Sequence, residues 1–218
     1  MKPVFYLLLT CVVLAACQNS NHNSSGSSDS AHEGMNHDSE VDNESKMMLA
    51  MSKGMEAMHA VKLTGNADVD LSKMMAKHHK SAIAMAQEEL DEGNDAQLKE
   101  MSNAIIKKQQ AEIEQLNAII HDLKAAKPDY DPNNKNAGLG SALNKNMMRM
   151  MQMGEMSKSS VDHEFASMMK KHHQDGVDMA RLMVEFGHDA RVKQLGNAII
   201  KDQEAEISVF ERWLEAHK

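Results

Sequence analysis

Apolar residues recur along this chain at three- and four-residue spacing over long stretches, and no stretch alternates with a period of two. Helices are therefore expected and strands are not. The segment "DLSKMMAKHHKSAIAMAQEELDEG" predicts one helix stopped near Gly93, and "NDAQLKEMSNAIIKKQQAEIEQLNAIIHDL" predicts a second, with Asn94 or Asp95 as its N-cap. The tight Gly-containing connection makes the pair an antiparallel hairpin. On the first helix Leu71, Met74, Met75, His78, Ala82 and Met85 fall on one stripe, with Lys73, Lys77, Lys80 and Gln87 opposite. His79 lies at the margin of that stripe, where an incoming ion would reach it more readily. On the second helix the inward stripe carries Leu98, Met101, Ile105, Leu116 and Leu123, and also Gln109 and Glu112.

The whole pattern occurs twice. Asp68–Leu123 aligns without gaps on Asp162–His217 with 21 of 56 positions identical, the mark of an internal duplication. The shared positions include Met74/Met168, Met75/Met169, His78/His172, His79/His173, Met85/Met179, Gln109/Gln203 and Glu112/Glu206. In the second copy His172 takes the central place among Phe165, Met168, Met169, Met179 and Met183, with His173 at the edge. Two hairpins supply four long helices, so the expected fold is all-α, a four-helix bundle. A short Met-rich helix is expected before each copy, from "KMMLAMSKGMEAM" and "NMMRMMQMGEM". The expected organisation is a repeat at 46–124, a linker at 125–145 marked by Pro128, Pro132 and "NNKNAGLGS", and a repeat at 146–218.

The N-terminus belongs to targeting rather than to the fold. "MKPVFYLLLTCVVLAAC" has an early lysine, an apolar run and small residues before Cys17, as in a secretory signal over residues 1–16. Its "LAAC" ending resembles a bacterial lipobox, which implies lipidation of Cys17 and a membrane anchor in the cell envelope, at the outer membrane if the cell has one. Residues 17–45 are rich in Ser, Asn, His, Asp and Gly and read as a solvated tether. With Cys11 in the signal and Cys17 lipidated, the folded part has no thiol.

A net charge of −8 and 3% aromatic residues argue against a nucleic-acid partner. The 21 methionines are the outlier. A Leu-to-Met exchange in a core usually costs less than about 1.5 kcal/mol, so packing permits this bias without demanding it. Met47, Met48, Met51, Met55 and Met58 share one stripe, as core packing would also produce. Met147 and Met151 share another, but Met150, Met153 and Met156 spread around the remaining sides, which a core stripe does not need. Thioethers suit Cu(I) and by extension Ag(I), while imidazole also suits Cu(II), Zn(II) and Ni(II). Gln109, Glu112, Gln203 and Glu206 are expected to hydrogen-bond the histidines. That would orient metal ligands, and it would equally satisfy structural histidines.

These residues resemble the domain of unknown function 305 family of small secreted bacterial proteins, which includes CopM-like copper-binding proteins. The pattern reads Asp68/Leu71/Met75/His78-His79/Met85-Ala86/Gly93/Gln109/Glu112-Ile113, and again Asp162/Phe165/Met169/His172-His173/Met179-Ala180/Gly187/Gln203/Glu206-Ile207. Leu71 stands where an aromatic is commoner. The resemblance implies a ferritin-like helical bundle and extracytoplasmic copper binding in tolerance or homeostasis. A di-iron carboxylate centre is disfavoured, because only Glu56–His59 and Glu185–His188 have the Glu-x-x-His spacing. No nucleophile–base set or phosphate loop stands out, so no enzymatic activity is expected.

The leading expectation is a lipid-anchored protein that sequesters copper as Cu(I), or Cu(II) or Ag(I), or passes it to a copper exporter or chaperone. Its expected ligands are His78, His79, His172 and His173, the core methionines Met74, Met75, Met85, Met168, Met169 and Met179, and the upstream Met47, Met51, Met55, Met58, Met147 and Met151. The alternative is a structural or interaction lipoprotein whose His, Gln and Glu network only specifies the bundle.

Overall fold

A computed structural model describes residues 45–152 and 159–218. The expected signal segment, the lipidation site Cys17, the tether up to residue 44, and Met153 and Met156 lie outside the described residues. Within them the chain forms six helices and no strand: α1 (Lys46–His59), α2 (Ala67–Glu92), α3 (Ala96–Asp122), α4 (Gly138–Met150), α5 (Val161–Phe186) and α6 (Ala190–Ala216). No helix among them is long and apolar enough to cross a membrane.

Five of the six helices begin on a side-chain cap. Ser45, Asn66, Asp95, Ser160 and Asp189 each accept from a backbone N–H in the first turn of the following helix, which satisfies a donor that would otherwise be orphaned. Ser45, expected at the end of the tether, is thus part of the fold. The hairpins turn at Gly93 and Gly187, as expected, and the N-cap in each is the aspartate. α4 starts at Gly138, so the connection between copies is shorter than the linker anticipated to run to residue 145.

α2 packs along α3, α5 packs along α6, and α2 and α5 pack on each other at the centre. Their directions are fixed by a reciprocal pair of caps. Asp68, at the start of α2, accepts from the backbone N–H groups of His188 and Asp189 in the second hairpin's turn. Asp162, at the start of α5, accepts from Asn94 and Asp95 in the first. α2 and α5 are therefore antiparallel and related by an approximate two-fold axis. α1 lies on α2 and α4 on α5, while α3 and α6 touch little and leave between them a groove of about 730 Å³ floored by alanines such as Ala104, Ala111 and Ala198.

The linker folds back over the start of α2. Buried Asp70 accepts from the backbone N–H groups of Thr64 and Gly65, from the Thr64 hydroxyl and from the Tyr130 hydroxyl at 2.8–2.9 Å. Burial and then Asp70 push the Tyr130 phenol well up, so it stays a donor. Gly65 has φ 81°, a left-handed conformation that favours glycine, and its carbonyl accepts from Asp129 and Tyr130.

The core is split into two apolar layers. One holds Leu71, Met74, Met75, Leu116, Met179, Met183 and Ile199. The other holds Met85, Leu98, Ile105, Phe165, Met168, Met169 and Phe210. Midway along the four long helices, between the layers, sit His78, His79, Gln109, Glu112, His172, His173, Gln203 and Glu206, all buried or partly buried.

Candidate metal centre

The two-fold axis brings equivalent histidines together. The rings of His78 and His172 stack with centroids 3.7 Å apart and planes 29° from parallel. Each is flanked by its sequence neighbour, His79 at 6.4 Å and His173 at 6.3 Å. Four imidazoles thus form one row across the bundle. At its ends stand the glutamates of the outer helices, with His79 Nε2 2.8 Å from Glu112 Oε2 and His173 Nε2 donating to Glu206 Oε2 at 2.7 Å. The two ends differ in alignment, since the hydrogen-bond geometry is met at His173 but not at His79.

This corrects the helical-stripe expectation for the outer histidines. His79 and His173 are 0% exposed, more buried than His78 and His172. A stripe describes one helix against one neighbour, whereas α2 is covered by α3, α1 and α5 together, which closes its margins. The expected service of Gln109 and Gln203 to the histidines is also corrected, because neither buried amide has a hydrogen-bond partner. Gln203 lies beside His78 across Gly176, where an added Cβ would meet Gln203 Oε1 at 2.3 Å and His78 Cε1 at 3.0 Å.

His78 Nδ1 and both ring nitrogens of His172 are buried without a hydrogen-bond partner, an arrangement worth about 1–3 kcal/mol of lost solvation per group. Burial, and then the neighbouring imidazoles and the Lys171 ammonium, hold both rings well below the ordinary imidazole range. They are neutral at physiological pH, the state in which imidazole binds metals.

Against this pair lies a cavity of about 10 Å³, closed by Met51, Met55 and Met58 of α1, Met150 of α4, Ser81 of α2 and Asp175 of α5. That volume is about one water-sized sphere. α1 reaches it because Gly54 lets the helix approach Ser81, whose Oγ donates to the Ala50 carbonyl at 3.2 Å. Asp175 is engaged by Lys171, whose Nζ stands 2.6 Å from both carboxylate oxygens. Burial raises the Asp175 carboxyl and Lys171 opposes that rise. Among the described residues no group of three or more His, Cys, Asp or Glu side chains could hold a metal. The donors that converge are therefore imidazole and thioether.

Of the expected ligands, the structure gathers His78, His172, Met51, Met55 and Met58 at one point. Met47 is buried in one apolar layer, and Met74, Met75, Met85, Met168, Met169 and Met179 pack in the two layers rather than around the cavity. Met147 lines a separate pocket, and Met151 follows the end of α4, is 63% exposed and does not line the cavity. Met150, which the sequence placed off the stripe, is the buried residue that reaches the cavity. Ser81 and Asp175 were missed. They occupy equivalent positions in the two copies, one turn after His78 and His172, and that spacing was the available signal.

The chain belongs to the family described as Domain of unknown function (DUF305), which it matches over residues 14–120 and 122–214. Each match takes in a short Met-rich helix with the hairpin that follows it. No curated protein matches the chain, and no solved structure matches it.

Proposed function

We propose that this protein is an extracytoplasmic copper-binding lipoprotein that holds Cu(I), and by the same chemistry Ag(I), in the cavity between α1, α4 and the stacked pair His78–His172. The observation that carries the reading is the convergence on one ion-sized cavity of four thioethers and two neutral imidazoles with unpartnered nitrogens. Soft thioethers with imidazole favour Cu(I), and the scarcity of carboxylates disfavours hard cations. The bound ion would supply a positive charge that these residues accommodate without ionising. The Lys171–Asp175 pair would keep the one nearby carboxylate neutralised. The "LAAC" sequence supports tethering through Cys17 in the envelope, with a copper exporter or chaperone as the receiving partner.

The test is an anaerobic Cu(I) titration against a strong competing chelator. It would compare wild type with a His78→Gln/His172→Gln variant and a Met51→Leu/Met55→Leu/Met58→Leu/Met150→Leu variant. Both variants are expected to lose competition for copper, whereas His79→Ala/His173→Ala should keep it in the fraction that folds. If wild type and all variants bind equally weakly, the histidine network serves only the bundle. Fatty-acid labelling that persists in Cys17→Ala would refute the anchor.

A further inference from the structure

The inner cavity is nearly closed: Met51 is 4% exposed, Met150 2%, His78 1% and His172 3%, and Met55 alone in its lining is partly exposed, so an ion needs a path that begins at the surface. We propose that the pocket between the C-terminal end of α1, the loop after it and α4 is a vestibule that captures a thiophilic monovalent ion and hands it to the inner cavity through Met58. This rests on the copper reading above.

The pocket has a volume of about 210 Å³ and is lined by the thioethers of Met58, Met74 and Met147 and by the imidazole of His59. Its wall has no carboxylate and includes Lys135 and Asn144, so its distinguishing donors are three thioethers and an imidazole, which suit Cu(I) or Ag(I). Met58 also lines the inner cavity, which makes its side chain the partition between the two spaces. At the outer rim Asn144 donates to the Met148 sulfur at 3.6 Å, and Met148 is 58% exposed. Among the methionines that line the pocket, exposure falls from half-buried Met147 to buried Met74 and Met58. Core packing accounts for buried methionines, but it does not place thioethers along a gradient of exposure that ends at the cavity wall.

The experiment follows the loss of colour from a chromophoric Cu(I) chelate mixed anaerobically with the folded chain, giving the loading rate, the final stoichiometry and the competition affinity. The Met74→Leu/Met147→Leu variant keeps shape and removes sulfur from the vestibule alone. Met85→Leu/Met168→Leu makes the same exchange in the far apolar layer. His59→Ala alters an exposed position with little risk to folding. The vestibule variant is expected to load about tenfold more slowly, as losing a donor in a rate-limiting transfer would produce, with unchanged stoichiometry and affinity. His59→Ala should also load more slowly, and the far-layer control should load like wild type. Equal rates in the vestibule variant and wild type would overturn the vestibule while leaving the copper site standing. A loss of affinity matching the loss of rate would make Met74 and Met147 ligands of the stored ion and overturn the transfer role. No loading by wild type would defeat the copper reading and the vestibule with it.

Discussion

Gly54→Ala is a sharp test of whether the close approach of α1 builds the cavity. Helix propensity alone makes the change stabilising by about 1 kcal/mol. The geometry opposes it, because a Cβ at position 54 would lie 2.4 Å from Ser81 Cβ and 2.5 Å from Ser81 Oγ. Ordinary contact begins near 3.4 Å, so α1 must retreat by about 1 Å, carrying Met51, Met55 and Met58 away from His78. Overpacking of this kind costs about 1–3 kcal/mol, which leaves a net loss of up to about 2 kcal/mol after the propensity gain. For a folded region of this size that is a fall in melting temperature of up to about 8 °C. Differential scanning calorimetry of Gly54→Ala, Ser81→Gly and the double variant gives the coupling directly. In the double variant the new Cβ faces Ser81's own Cα position at 3.6 Å, an ordinary contact. The double variant should therefore be more stable than the two single changes add up to, despite losing the Ser81 bond to Ala50. Copper competition should weaken in Gly54→Ala and recover in the double variant. A rise in melting temperature for Gly54→Ala, or strict additivity, would refute the packing argument.

Three further outcomes follow from the buried polar groups. His78 and His172 titrate well below the ordinary imidazole value in the fold, so below about pH 6.5 the unfolded chain binds protons that the native state does not. Apo stability should fall on acidification from there, and His78→Gln/His172→Gln should flatten that limb in urea melts at pH 7 and pH 5. Glu89 is pushed up from 4.5 to about 8, by burial first and then by the nearby Asp162 charge. Its native form holds a proton that the unfolded form releases, so it withdraws stability as pH rises from about 4.5 to about 8. Glu89→Gln should remove that decline and raise the urea midpoint at pH 9. Glu206→Ala removes the carboxylate that accepts from buried His173 and should cost about 1–3 kcal/mol by denaturant titration. Glu112→Ala should cost less, since His79 Nε2 stands 2.8 Å from that carboxylate without hydrogen-bond geometry.

What was legible in the sequence was local or periodic. Gly93 with Asp95 and Gly187 with Asp189 mark the hairpin turns through caps made within a few residues, and the 94-residue offset between copies reveals the repeat. The inward pointing of His78 and His172 follows from the stripe each helix must bury. The contents of the cavity were less legible because they depend on how helices from different parts of the chain cross. Met150 and Met151 are adjacent in sequence, yet Met150 closes α4 at 2% exposure and Met151 follows it at 63%. The burial of His79 needs three neighbours around α2, which no single stripe contains. The core methionines were read as ligands from their repetition, but repetition equally marks positions that both copies must pack.

The duplication also explains why the site is not symmetric. A two-fold axis through the bundle makes the stacked imidazoles a consequence of one histidine position copied once, and nothing in that operation supplies the thioethers. Those come from α1 and α4, which lie outside the aligned repeat and sit differently on their hairpins. α1 spans the polar layer, with Met47 and Met51 in one apolar cluster and Met58 in the other, so it passes directly over His78. α4 contributes Leu139, Leu143 and Met150 to a single cluster and reaches the cavity only at its last residue. The pair that follows the histidines has diverged too, as Ser81 in one copy and Asp175 with its Lys171 clamp in the other. Copying built a row of buried imidazoles. The unequal helices laid over it converted one side of that row into a cavity with soft donors, so replacing the three α1 methionines should weaken copper retention more than replacing Met150 alone.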